Sequence, residues 1–185
     1  MLTRFAPWSV LALLAGFCLA PTGVRAADDQ EVDMKLATFQ ASGDWKKVQP
    51  SSFITAYQFE IKPVEGDENP ATLTFTSAGG GAEPNIKRWY GQFTQPDGGS
   101  TEDRAKVEKK EIAGLEVYLV DISGTFKERQ GGGPFAGGKT VDREKYRMLA
   151  AIVDGKIFIK LYGPEKTVAE QQKVFTKMVE GLKRP

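Results

Sequence analysis

Alternating apolar and polar positions predict two strands in the first half of the chain. The apolar residues assigned to one side of the first strand are Phe53, Tyr57, Phe59 and Ile61. Residues 71–77 alternate again, with a threonine at every second position. A period of two is typical of a strand with one covered face. The polar, turn-forming residues between the two segments predict an antiparallel pair.

Apolar runs predict further strands in the second half of the chain. Residues 115–123 are apolar on both sides, which indicates a central strand covered on both faces. The segments YRMLAAIV and KIFIKLYG are separated by Asp154 and Gly155. That pair is a strong hairpin signal, because a type I′ turn requires positive φ at both central residues. Residues 105–112 are rich in lysine, which is typical of the edge of a sheet.

Two segments have the spacing of an amphipathic helix. The apolar positions of the first are Ile86, Trp89, Tyr90 and Phe93. The second runs from about Val168 to Leu182, and its stripe is Val168, Phe175, Val179 and Leu182. Thr167 and Glu170 fit a capping box at its start. Both stripes predict helices that pack against the sheet.

The order of these elements predicts a single-domain α+β fold. The sheet is mostly antiparallel, with about six strands packed by two helices, and residues 45–48 add a possible short strand. The apolar central strands favour helices on opposite faces, or a long loop that covers one face. We predict a flexible mature N-terminus over residues 27–42, the domain over 43–185, and a glycine-rich connection over 124–142.

The first 26 residues are typical of a secretory signal peptide. Arg4 precedes an apolar run of 16 residues, and small residues occupy positions −3 and −1 of a cut after Ala26. The run is shorter than the roughly 20 residues that span a bilayer, so we expect no stable membrane anchor. Cys18 follows a phenylalanine rather than the small residue that lipidation requires. We therefore predict a secreted or periplasmic protein.

Composition removes several classes of chemistry. The chain has no histidine, and its single cysteine lies in the predicted signal peptide. We therefore expect no disulfide, thiol nucleophile, histidine base, metal or cofactor. Removing Arg4 and Arg25 from the 25 basic residues leaves 23 against 24 acidic ones, a net charge of −1. That balance provides no field to attract nucleic acid.

The stretch GPFAGGKT, residues 133–140, matches the P-loop expression GxxxxGK(S/T). A working P-loop joins a strand directly to a helix, so that amides and the helix dipole converge on phosphate. Here the preceding strand is predicted to end near Ser123, and a strand is predicted after Thr140. We therefore expect no nucleotide binding. In the loop that this segment forms, Phe135 and Lys139 are candidate binding residues.

Two further groups of residues are candidate binding sites. Lys160 and Tyr162 share a predicted strand face, and a buried lysine with a lowered pKa can act as a base or nucleophile. In the simpler interpretation, the lysine stem packs on aromatic rings while its ammonium reaches solvent or a carboxylate. Arg88 and Trp89 combine a cation with an aromatic ring, as in carbohydrate or nucleic-acid stacking. Burial of Trp89 against the sheet is the favoured interpretation.

The segments NIKRWYGQF, YRMLAAIV and FIKLYGP resemble those of an uncharacterised family of small exported bacterial proteins, over roughly residues 43–183. The order of strands and helices also resembles the PsbP-like fold, an antiparallel sheet between helices. That resemblance implies a non-catalytic docking or accessory role, and it transfers no functional residue.

The sequence thus leaves two functions open. The first is an exported, non-catalytic binding or accessory module whose partner is an unknown protein or envelope component. The alternative is a carboxylate- or lysine-based envelope enzyme, for example one that processes carbohydrate, which requires two carboxylates about 5–10 Å apart in one cleft.

Overall fold

The computed structural model describes residues 27–130 and 139–185, so the predicted signal peptide and Phe135 lie outside the described residues. The strands are β1 (Gln30–Asp33), β2 (Thr38–Ala41), β3 (Lys46–Val48), β4 (Thr55–Ile61), β5 (Ala71–Ser77), β6 (Phe93–Thr94), β7 (Lys106–Ile112), β8 (Leu115–Gln130), β9 (Lys139–Val153) and β10 (Ile157–Pro164). The helices are α1 (Ala82–Tyr90), α2 (Thr101–Arg104) and α3 (Glu165–Glu180).

Eight of these strands form one antiparallel sheet in the order β3-β4-β5-β10-β9-β8-β6, with β7 also paired to β8. β1 and β2 form a separate hairpin. The predicted α+β fold with a mostly antiparallel sheet is confirmed, and β3 is the short extra strand. The prediction of about six strands and two helices is too low. The periodic pattern did not predict four of the elements, because each has four residues or fewer and is too short to show a period. These elements are β1, β2, β6 and α2.

One face of the large sheet, the first face, is covered by α3 and by the β1–β2 hairpin. Phe59, Phe75 and Leu161 project from β4, β5 and β10 into this layer and are almost completely buried. Val168 and Phe175 of α3 pack onto the same cluster. The alternating apolar side chains of the strands therefore pack against the apolar stripe of α3, and both are buried in one core.

Helix α3 begins at Glu165, directly after β10, rather than at about Val168. The predicted capping box is therefore wrong, since Thr167 already lies inside the first turn. The backbone N–H and the hydroxyl of Thr167 both donate to the Asp67 carboxylate, at 2.9 and 2.7 Å. A carboxylate from a distant loop thus satisfies the helix N-terminus, where the helix dipole favours negative charge.

The opposite, second face is covered over part of its width by α1. Ile86 and Trp89 are buried against a cluster that includes Met148 and Phe158. The Trp89 and Phe158 rings meet edge to face, with centroids 6.3 Å apart. The prediction of helices on opposite faces is confirmed. Phe93 is buried in the same cluster, but it belongs to β6 rather than to the predicted helix, because α1 ends at Tyr90.

The N-terminal segment over residues 27–42, predicted to be flexible, is instead an ordered hairpin from Gln30 onward. Val32 and Phe39 are completely buried beneath the large sheet. The acidic residues that suggested flexibility, such as Glu31 and Asp33, occupy the exposed positions between buried ones. The hairpin is also tied to the end of the chain, because Thr38 and Lys183 exchange backbone hydrogen bonds of 2.8 and 3.0 Å.

The predicted connection over residues 124–142 is largely a long hairpin, since β8 continues to Gln130 and β9 begins at Lys139. The strand does not end near Ser123 as predicted. Gly124 lies at a register shift with φ of 148°, and an added Cβ there would lie 2.7 Å from the carbonyl oxygen of Thr94. Glycine is therefore needed at this position, because the strand has a bulge there and another backbone segment approaches closely.

Two local predictions are confirmed. Asp154 and Gly155 are the central residues of the turn between β9 and β10, with φ of 51° and 62° as a type I′ turn requires, and the backbone N–H of Lys156 donates to the carbonyl oxygen of Val153 at 3.0 Å. The lysine-rich strand β7 lies at the edge of the sheet, and β8 is its only strand neighbour within the described residues.

The assignment of Phe53 to a covered strand face is wrong. β4 begins only at Thr55, and Phe53 lies in the loop before it with 89% of its surface exposed. The register of β4 against β5 shifts between Thr55 and Tyr57, so the alternation does not run back through this point. Among the helices of the described residues, none is long and apolar enough to cross a membrane.

Candidate functional site

The strand period of β10 places a lysine among aromatic residues on the second face. Phe158, Lys160 and Tyr162 share this face, while the intervening Ile159 and Leu161 point into the core of the first face. Lys160 is paired across the sheet with Thr74 of β5 and Ala150 of β9. It therefore lies where the apolar, helix-covered part of the second face meets a polar part.

The Lys160 ammonium lies between two rings and beside an amide. Its nitrogen is 5.7 Å from the centroid of Trp89 and 5.5 Å from that of Tyr162. It donates a hydrogen bond of 3.1 Å to Oε1 of Gln92. The ammonium itself lies near the two rings and donates to an amide oxygen, rather than to the solvent or carboxylate of the simpler interpretation. No carboxylate within the described part of the chain lies within ion-pair distance of it.

The pKa of Lys160 is lowered from its ordinary value of 10.5 to about 8, mainly by burial and in smaller part by the positive charge of Arg88. Arg88 projects from α1, is exposed, and donates a hydrogen bond to Oδ1 of Asn85. Burial also raises the pKa of the Tyr162 phenol. Partial burial and a second positive charge thus both disfavour the charged form of Lys160.

The structure brings together four of the six candidate residues that the sequence singled out. Arg88, Trp89, Lys160 and Tyr162, joined by Gln92, form what we call the lysine–aromatic site. Lys139 is not part of it. Met148 of β9 is the strand partner of Tyr162, and Lys139 lies nine positions earlier on β9, so the Cα atoms of Lys139 and Met148 are about 30 Å apart. Phe135 lies outside the described residues.

The segment around Lys139 has the wrong local structure for a P-loop. Lys139 and Thr140 are the first two residues of the strand β9, which pairs with β8. A P-loop presents its lysine and hydroxyl at the N-terminus of a helix, where free amides converge on phosphate. The backbone amides after Thr140 are engaged in a sheet instead.

A polar stripe beside the lysine–aromatic site was not recognised as a site feature from the sequence. Thr72, Thr74 and Thr76 of β5 lie on the second face and are half-buried, whereas Met148 and Ala150 of β9 on the same face are buried. The threonines at every second position of this segment are the sequence feature that could have predicted the stripe. Polar side chains at every second position of a central strand indicate a face that no helix covers.

A separate cavity of about 340 Å³ lies on the first face, between α3 and β7. Leu119, Leu149 and Phe175 form its apolar part. An ion pair of 3.0 Å between Lys110 and Glu180 joins β7 to α3 near this cavity. None of the candidate residues from the sequence lines it.

The chain is similar in structure to the cyanobacterial PsbP protein (CyanoP) of Synechocystis sp. PCC 6803. The likeness has a TM-score of 0.50 and 15% sequence identity, and it covers 90% of this chain and 98% of that one. The predicted PsbP-like fold is confirmed by this likeness, which at such low identity concerns the fold alone. No protein-family model and no curated protein matches the chain.

Proposed function

We propose that the protein is an exported, non-catalytic binding module that holds an anionic group of another envelope component at the lysine–aromatic site. The observation that carries the proposal is the half-buried Lys160 ammonium, which has Gln92 as its one hydrogen-bond acceptor within the described residues and whose pKa is lowered in part by the positive charge of Arg88. An ammonium has three N–H donors. A carboxylate or phosphate of a partner would occupy the remaining donors and balance both charges.

The surroundings of the site suit recognition. Trp89 and Tyr162 hold the ammonium between fixed rings, so little side-chain entropy is lost when a partner binds. Tyrosine and arginine, here the half-buried Tyr162 and the exposed Arg88, are also among the residues that most often dominate binding energy in protein interfaces. The half-buried threonine stripe continues the surface with hydroxyl groups that can donate or accept hydrogen bonds.

One observation favours the alternative, a lysine-based enzyme. With a pKa of about 8, Lys160 is partly neutral in mildly alkaline solution, and a neutral amine can attack a carbonyl carbon. Such an enzyme would form an imine on Lys160 with release of water, and borohydride would trap the adduct. The binding module requires no such adduct.

A photo-reactive amino acid at Thr74, in cells that export the protein, tests the proposal. Thr74 is the cross-strand neighbour of Lys160 and is half-buried, so a probe there reports on whatever contacts the site. We expect one major cross-linked partner, lost in Arg88→Gln and retained in Lys87→Gln. Lys87 is the matched control, an exposed cation one position away on α1. An adduct that is indifferent to Arg88→Gln, or no adduct, would contradict the proposal.

A further inference from the structure

The loop between β3 and β4 displays two large apolar side chains to solvent. Phe53 is 89% exposed and Ile54 is 54% exposed, the two largest values among the big apolar residues of the described chain. Single exposed apolar residues are ordinary, but adjacent ones at the tip of a hairpin indicate a contact surface.

This tip is held by hydrogen bonds rather than left loose. The backbone N–H and the hydroxyl of Ser51 both donate to Oε1 of Gln58 on β4, at 2.9 and 3.0 Å. The backbone N–H of Thr55 donates to the carbonyl oxygen of Ser52 at 3.1 Å. The loop therefore presents Phe53 in a defined position, which reduces the entropy lost when a partner covers it.

The strand register places the tip beside the lysine–aromatic site. Lys160 is paired with Thr74, and Thr76, two positions further along β5, is paired with Thr55. Ile54 therefore lies two strands across the sheet and three residues along it from Lys160, and the Cα atoms of these two residues are about 15 Å apart. An interface of standard size covers about 800 Å² on each partner, so one partner can contact both places at once.

We propose that the second face carries one continuous docking surface for a folded protein, from the Phe53–Ile54 tip across the threonine stripe to the lysine–aromatic site. This inference rests on the proposed function and specifies the class of partner, a folded protein. The partner presents a carboxylate to Lys160 and Arg88 and an apolar pocket to Phe53. A protein suits this surface better than a lipid bilayer, because the half-buried threonine hydroxyls can form hydrogen bonds with polar groups of a protein, whereas the hydrocarbon of a bilayer offers no such groups.

Two cross-linking positions and two truncations test the inference. A photo-reactive phenylalanine analogue replaces Phe53, and its adducts are compared with those from Thr74. We expect both positions to capture the same protein. We also expect Phe53→Ser to weaken the affinity for that protein by about tenfold or more, as truncation of a buried aromatic anchor does. Val174→Ser is the matched control, an exposed apolar residue on α3 across the sheet, and it should leave the affinity unchanged.

The failures of the two proposals are distinguishable. If Thr74 captures a protein that position 53 does not, and Phe53→Ser binds it normally, the extended surface is wrong while the lysine–aromatic site stands. If Phe53 drives sedimentation with vesicles of phosphatidylethanolamine and phosphatidylglycerol, the surface meets lipid and the inference is overturned. If neither position captures a protein, the proposed function fails together with the inference. Unchanged melting of Phe53→Ser confirms that a loss of binding is not a loss of fold.

Discussion

Replacing Lys160 with methionine is expected to stabilise the folded protein near neutral pH, because the substitution removes a half-buried charge and keeps an unbranched side chain of similar length. The pKa of Lys160 is lowered from 10.5 to about 8. One pKa unit corresponds to about 1.36 kcal/mol, so the protonated lysine costs the folded state about 3 kcal/mol relative to the unfolded one.

Part of this gain is offset by lost contacts. Methionine cannot donate to Oε1 of Gln92, which costs about 1 kcal/mol, and the attraction of the ammonium to the Trp89 ring is lost as well. We expect a net gain of about 1–2 kcal/mol at pH 7. For a domain of this size that is a rise of about 2–8 °C in melting temperature.

The pH dependence identifies the cause. Below about pH 8, Lys160 is protonated in both states and the folded state bears the full cost. Between about pH 8 and 10.5, the folded state releases the proton while the unfolded state keeps it, so the wild type gains stability as pH rises. The advantage of Lys160→Met should therefore shrink across this window. The raised pKa of Tyr146, caused by burial, affects both proteins alike and cancels in the difference.

Thermal and urea melts of wild type and Lys160→Met from pH 6 to about 10.5 measure this effect. Lys156→Met is the control, because Lys156 lies just before the same strand but its side chain is 67% exposed and pairs with Asp154. Its stability should change by no more than about 0.5 kcal/mol. A Lys160→Met protein that is less stable than wild type at pH 7, or whose advantage is the same at all pH values, would refute the reasoning.

Four further predictions follow from the fold and the sequence. Trp89→Ala should lower stability by about 3–5 kcal/mol in urea melts, because the ring is buried against Phe158; unchanged melting would show a free surface aromatic. Phe39→Ala should cost a similar amount, since the N-terminal hairpin belongs to the core, and a flexible N-terminus would make it neutral. Millimolar Mg-ATP should not shift the melting temperature of wild type or Lys139→Ala, and a lysine-dependent rise would contradict this. Protein recovered from the native envelope should begin near Ala27 in N-terminal sequencing, and recovery of a chain that starts at Met1 would contradict export.

The long, strongly periodic segments were predictable because their burial is regular. Residues from Met148 to Val153 are all buried, and the turn that follows has positive φ at Asp154 and Gly155, a conformation that glycine readily adopts. The first half of β9 was missed for the opposite reason. Charged residues such as Asp142 and Glu144 are exposed there, so no apolar period marks the strand, and it is formed by pairing with β8. Tertiary pairing of this kind overrides local propensity.

The lysine–aromatic site was predictable in part. The alternation of β10 already placed Lys160 beside Tyr162, and the helix spacing already placed Trp89 toward the sheet. What the sequence could not provide was the contact between Lys160 and Gln92, which are separated by 68 positions. It depends on how far α1 extends and where the chain turns after Tyr90. The exposure of Phe53 likewise depends on where β4 begins, and boundaries are the least determined feature of a periodic pattern.

The central claim, that Lys160 and Arg88 hold an anionic group, is tested most directly by the pKa of Lys160 itself. An NMR titration of the lysine side chain would be recorded in chloride and in acetate at matched ionic strength, for wild type and for Arg88→Gln. In chloride we expect a pKa of about 8 for wild type. A bound carboxylate favours the protonated amine, so acetate should raise the pKa in wild type and raise it less in Arg88→Gln. An ordinary pKa in chloride, or a pKa that acetate leaves unchanged, would contradict the claim.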